Sequence, residues 1–119
     1  MPDQGDRLTE IQDRLRDFRE RREWRQFHTL KDLAAAISIE ASELQEILLW
    51  RATDEEPEIL ATRADRLGDE VADILIQCLN FADVAGIDVL AAVEAKIEKN
   101  EENYPVDKAR GNPAKYTDL

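Results

Sequence analysis

Histidine and cysteine occur once each in these 119 residues, and that scarcity removes whole classes of chemistry. Cys78 has no second cysteine for an intrachain disulfide, and together with His28 it falls short of a four-ligand zinc site. The Glu-x-x-His pairs of a di-iron bundle are missing, and no acidic loop carries the glycine that an EF-hand turn requires. Glycine and proline, four of each, leave no turn-punctuated, strand-rich stretch. Positive charge is also short: 16 basic residues face 27 acidic ones, and the net charge of −11 argues against a grip on a nucleic-acid polymer or an anionic membrane. No uninterrupted apolar run approaches membrane-spanning length, and the charged N-terminus lacks the apolar core of a signal peptide. The expectation is a reducing, cytoplasmic setting without membrane or nucleic-acid partners.

What is abundant is Ala, Leu, Glu, Asp and Arg, within a chain long enough for one compact domain and too short for two. The pattern predicts an all-α single domain over residues 1–119. Helices are expected at about 6–23, 30–50, 59–85 and 89–102, followed by an irregular tail over 103–119. Leu8, Ile11, Leu15 and Phe18 form the apolar stripe of the first helix, with its charged residues opposite. Thr29 and Asp32 make a capping-box start for the second, whose core stripe is Leu30, Leu33, Ala34, Ile37, Ala41, Leu44 and Leu48. Arg51 to Glu58 read as a polar loop containing Pro57. The third helix is apolar nearly all round, hence expected to be largely buried, and ends at Gly86; Asp88 caps the fourth. Gly68 either permits a close helix approach or is a tolerated blemish.

Two acidic clusters interrupt this apolar background. Glu40, Glu43 and Glu46 follow one drifting edge of the second helix, interleaved with Ala36, Ile39, Ile47 and Trp50. Asp69, Glu70 and Asp73 lie on the third, where Glu70, Asp73, Gln77 and Asn80 form a narrow polar seam. Carboxylates in apolar surroundings are costly unless paired or metal-bound, so the two edges predict a cation cage. Ligation by carboxylates alone points to hard cations, Mg²⁺ or Mn²⁺, which commonly bridge protein to phosphate. Trp24 and Phe27, in the break after the first helix, read from the residues as core plugs, and His28 as a structural or surface histidine. Lys96 and Asn100 share an edge of the fourth helix. The tail, with Tyr104, Arg110, Lys115 and Tyr116, is locally basic and suited either to disorder or to covering an anionic ligand.

The ordered set Trp24-x-x-Phe27-His28, Glu40-x-x-Glu43-x-x-Glu46-x-x-x-Trp50, Glu70-x-x-Asp73, Lys96-x-x-x-Asn100-x-x-x-Tyr104-Pro105 and Arg110-Gly111 followed by Lys115-Tyr116 resembles the MazG-like all-α nucleoside triphosphate pyrophosphohydrolases, nearest their dCTP pyrophosphatase branch. The resemblance covers nearly the whole chain. It implies a four-helix fold that oligomerises, as a dimer of dimers, with the tail over the site. It implies Mg²⁺ on Glu40, Glu43, Glu70 and Asp73, with Mn²⁺ as a substitute, and cleavage of a triphosphate to monophosphate and pyrophosphate in nucleotide-pool sanitation. Glu43 or Glu46 is the candidate acceptor of the water proton. Lys96, Asn100, Tyr104, Arg110, Lys115 and Tyr116 are implied near the phosphates. Trp24, His28, Trp50 and Gln77 are implied around the base, Gln77 standing where relatives often carry Tyr. The expected substrate is dCTP or a modified dCTP. The alternatives are a dUTP- or phosphoribosyl-ATP-directed enzyme and a non-catalytic nucleotide-binding module.

Overall fold

The structure, a computed structural model, describes residues 4–119, so the first three residues of the expected domain lie outside it. Among the described residues every regular element is helical: α1 (Gln4–Arg21), α2 (Leu30–Leu48), α3 (Glu56–Ala85), α4 (Val89–Asn103) and a four-residue α5 (Val106–Ala109). Short 3-10 turns occupy Arg25–Phe27, Thr53–Glu55 and Tyr116–Asp118. The chain divides into two compact units, Met1–Gly86 and Ile87–Leu119.

In the first unit α2 lies along α3, and α1 packs on α3. The buried core consists of Leu33 and Ile47 from α2 with Ile59, Leu79 and Ala82 from α3. The inward stripe of α2 is Leu33, Ala36, Ile37, Glu40, Glu43, Leu44 and Ile47, at 3.6-residue spacing. It is rotated from the expected stripe, and the rotation carries two glutamates inward while Leu30 and Leu48 stay exposed. A similar rotation affects α1, where Leu8, Gln12, Leu15, Arg16 and Arg19 turn inward and Ile11 and Phe18 are more exposed. Nor is α3 largely buried: Leu60, Val71 and Leu75 are all more than half exposed. Large apolar side chains thus remain exposed on α1, α2 and α3.

Local signals set the helix ends. The Thr29 hydroxyl accepts from the Asp32 amide at 3.1 Å, capping α2. Pro57 lies in the first turn of α3 rather than in a loop, which suits a residue with fixed φ and no amide hydrogen. A break in helical backbone geometry at Arg63 (φ −131°, ψ 22°) divides α3 early in its course. Gly86 ends it in the left-handed region at φ 70°, a conformation that costs glycine little. Gly68 permits no close approach, since a Cβ built there would meet nothing within 4 Å.

In the second unit the Asp88 carboxylate accepts from the Ala91 amide at 3.1 Å and caps α4. The segment after α4 is folded, with α5 following Pro105 and Gly111 making a left-handed turn at φ 71°. The Tyr104 and Tyr116 rings meet edge to face, 5.9 Å between centroids. Among the described residues no single helix is long and apolar enough to cross a membrane.

Candidate active site

Glu40 and Glu43 stand one turn apart on the inward stripe of α2, and Glu70 faces them from the inward stripe of α3. One carboxylate oxygen from each lies within 4.8 Å of the others, and all three residues are half-buried. Oε2 of Glu40 and Oε2 of Glu70 are buried without a hydrogen-bond partner. Burial pushes the Glu40 carboxyl above its ordinary value, helped by a hydrogen bond with Glu43 and by the charges of Glu43, Asp73 and Glu70. Burial likewise raises Glu70, reinforced by the charge and hydrogen bonding of Glu43 and the charge of Asp73, with Arg66 opposing. Mutual repulsion, orphaned acceptors and a donor set of oxygens alone fit a hard divalent cation such as Mg²⁺ or Mn²⁺. Asp73 is outside the close trio but near enough for its charge to act on both glutamates. Glu46 and Asp69 are on exposed faces of their helices.

Asp73 also lines a cavity of about 330 Å³ whose wall includes Trp24, His28, Gln77, Arg19 and Asn80. Its volume is at the small end of the roughly 300–1,000 Å³ typical of ligand pockets. Trp24 reaches the cavity because α1 ends in a Schellman turn. The Trp24 amide bonds to the Arg19 carbonyl at 2.9 Å and the Glu23 amide to Glu20 at 3.0 Å, with Glu23 left-handed at φ 55°. The turn folds the Trp24 ring back edge to face on Phe18, with centroids 5.6 Å apart. Trp24 is therefore a partly exposed wall, and Phe27 is exposed, so neither is the core plug that their size suggests. His28 Nδ1 is buried without a partner; burial lowers the imidazole pKa, as do the charges of Arg19 and Arg25, so the ring is neutral at pH 7. Gln77 Oε1 accepts from Asn80 Nδ2 at 3.4 Å.

Trp50 is not among the cavity's lining residues. It is 92% exposed, and its backbone is left-handed at φ 64°, an uncommon state for a bulky residue and one that recurs at binding sites. In the second unit Asn100, Tyr104 and Arg110 line a separate cavity of about 500 Å³ with Ile97, Glu101 and Val106. Lys96 lies one turn before Asn100 on α4, and Lys115 precedes the last 3-10 turn; both are exposed. Sequence reading missed Arg19, which falls on the charged side of an amphipathic pattern yet is 5% exposed.

Residues 35–119 match the model of the MazG-like family. The bovine protein dCTP pyrophosphatase 1 is 38% identical over 106 residues, and its human counterpart 34%. Each alignment spans 87% of this chain and 62% of the relative, so the chain corresponds to less than two thirds of those proteins. Among solved structures, that of a pyrophosphatase from Archaeoglobus fulgidus superposes with a TM-score of 0.80 at 48% identity, covering 83% of this chain and 93% of that one.

Proposed function

This chain belongs to the MazG-like family, and from that premise we propose that it hydrolyses a nucleoside triphosphate between the α- and β-phosphates, releasing monophosphate and pyrophosphate. The observation that carries the reading is the sharing of Asp73. Asp73 lines a ring-sized cavity walled by Trp24 and His28 and is also near enough for its charge to act on Glu40 and Glu70, two of the three clustered carboxylates, each with an unsatisfied oxygen. A nucleotide has the same two parts, an aromatic base and a charged phosphate chain.

In this reading Glu40, Glu43, Glu70 and Asp73 hold Mg²⁺. When bound, the cation neutralises phosphate charge and lowers the pKa of a coordinated water. Glu43 is the candidate proton acceptor, because it belongs to the close trio whereas Glu46 is exposed on the outer side of α2. Trp24 stacks on the base, and His28 and Gln77 offer polar edges; stacking alone tolerates any base. Trp50, displayed on a strained turn, is available to a base from outside the cavity. Lys96, Asn100, Tyr104, Arg110, Lys115 and Tyr116 supply the phosphate-binding chemistry of the second unit, Arg110 through its forked donors. The names of the mammalian relatives make dCTP, or a base-modified dCTP, the first substrate to test.

The apolar surface left open on α1, α2 and α3 supports association of copies, as a dimer of dimers. Light scattering at micromolar concentration that found only a 13.6 kDa particle would contradict this part. The activity is tested by incubating the protein with Mg²⁺ and a panel containing dCTP, dUTP, dTTP, dATP, dGTP and phosphoribosyl-ATP, and separating the products. Pyrophosphate from dCTP supports the reading. Preference for dUTP or phosphoribosyl-ATP moves the substrate to another branch, and binding without any product identifies a non-catalytic module.

A further inference from the structure

The polar seam of α3 extends one turn further than the carboxylates. Arg66, Glu70, Asp73, Gln77 and Asn80 follow one another at alternating spacings of four and three, which holds them within an arc of roughly 80° on the helix surface. Asn80, Gln77 and Asp73 line the cavity of Trp24, and Glu70 joins Glu40 and Glu43. Arg66 comes next, about 6 Å of helix rise beyond Glu70 on the side away from the cavity. Its charge acts on the Glu70 carboxyl against the burial and the neighbouring acids that raise it. Arg66 is exposed and makes no ion pair with a carboxylate among the described residues. A cation four residues before an acid is the weaker order for a helical pair, so Glu70 does not capture it. One turn earlier the helical geometry breaks at Arg63, and the seam ends. The two helices that bear the carboxylates hold three cations in all, Lys31 on α2 and Arg63 and Arg66 on α3. The inward face beyond the cluster is core, with Ile47, one turn past Glu43, and Ile59 each 3% exposed. A phosphate chain leaving the cluster away from the cavity therefore follows the exposed edge, where Arg66 stands.

We propose that Arg66 is a phosphate-binding residue for the β- and γ-phosphates, the part released as pyrophosphate, of a nucleoside triphosphate that lies along α3 with its base at Gln77 and Asn80. The inference rests on the nucleotide reading of the site and adds to it a direction and a residue. The order of groups along the helix is the order of parts in the ligand. Amides border the base cavity, carboxylates follow for the cation that bridges protein to phosphate, and a guanidinium stands at the anionic end. From Gln77 to Arg66 the helix rises about 16 Å, within reach of an extended nucleoside triphosphate. Arginine suits the position, because its forked donors match two phosphate oxygens and its charge persists at every physiological pH. A cation held by carboxylates has part of its charge already neutralised, so the far phosphates gain from a second, permanent positive group.

The test is calorimetric titration, in Mg²⁺, of dCMP and of the α,β-imido analogue of dCTP, which keeps three phosphates and resists cleavage at the bridge. Native chain, Arg66→Ala, Arg66→Lys and Lys31→Ala are compared after circular dichroism has shown the same helical spectrum. In Arg66→Ala the analogue should bind about tenfold more weakly, the low end for hydrogen bonds to charged groups because water reaches Arg66. Binding of dCMP, which lacks the two outer phosphates, should stay within about twofold of native. Arg66→Lys keeps the charge without the fork and should recover part of the loss. Lys31→Ala removes the same charge about 13 Å of helix from Glu40 and should leave both ligands within about twofold. Native-like binding of the analogue by Arg66→Ala overturns the proposal, as do an equal loss for dCMP and a loss matched by Lys31→Ala. A native chain that binds neither ligand overturns the nucleotide reading and the proposal with it, so titration of the native chain separates the two failures.

Discussion

Replacing Asp83 with alanine removes the group that holds α1 to α3 through two arginines, and its cost follows from how deeply each partner lies. Arg19 is nearly inaccessible and loses its counter-ion; the Asp83 side chain is 24% exposed and that of Arg16 is 42% exposed. Breaking a buried pair from one side costs about 3–5 kcal/mol, and water reaching the Arg16 half argues for the lower end, about 3 kcal/mol. With an unfolding entropy of about 2.1 cal/mol/K per residue, the midpoint of thermal unfolding should fall by roughly 12 °C. Circular dichroism melts at pH 7 and fixed protein concentration measure it. The hydrogen bond from Arg16, followed by the contacts with Arg19, holds the Asp83 carboxyl below its ordinary value of 3.8. Its stabilisation is therefore fully present above pH 3.8 and disappears as pH falls through the depressed value. Native and variant midpoints should converge on acidification below that point. A fall at pH 7 of less than about 4 °C, or a gap that does not narrow as pH falls below 3.8, would contradict this role of Asp83.

Three further outcomes follow from the same geometry. Mg²⁺ at tenfold its dissociation constant should stabilise the native chain by about 1.4 kcal/mol, and Glu70→Gln should abolish most of that gain in a thermal-shift titration. In EDTA the sign of the carboxylate effect reverses. Glu40 and Glu70 have folded pKa values raised above 4.5, so their contribution to stability should decline as pH rises from 4.5 through the raised values. Melts of native chain and a Glu40→Gln, Glu70→Gln double variant across that range would show it. Ile47→Ala, at a position 3% exposed between α2 and α3, should cost about 2–5 kcal/mol by urea unfolding with little change in slope.

Helix identities, both N-caps and the Gly86 stop were legible because each depends on neighbours in sequence. The acidic clusters were legible for the same reason: i,i+3 spacing puts Glu40 and Glu43 on one edge, and an apolar surround marks it as unusual. The faces that turn inward were not. On α1 and α2 an apolar stripe competes with a polar one, and tertiary pairing turned Glu40, Glu43 and Arg19 inward and left Leu30, Ile11 and Phe18 outside. Arg19 could not have been found from periodicity, because what buries it is Asp83, 64 residues away. Trp24 owes its place to a left-handed glutamate, where glycine would have been the readable signal.

If carboxylates from α2 and α3 form a cation-dependent centre for α–β cleavage, the products of dCTP with Mg²⁺ must show it. Pyrophosphate and dCMP should form in equal amounts with the native chain, and neither with a Glu70→Gln variant that retains the native helical spectrum. Release of orthophosphate instead of pyrophosphate, or undiminished turnover by Glu70→Gln, would contradict it.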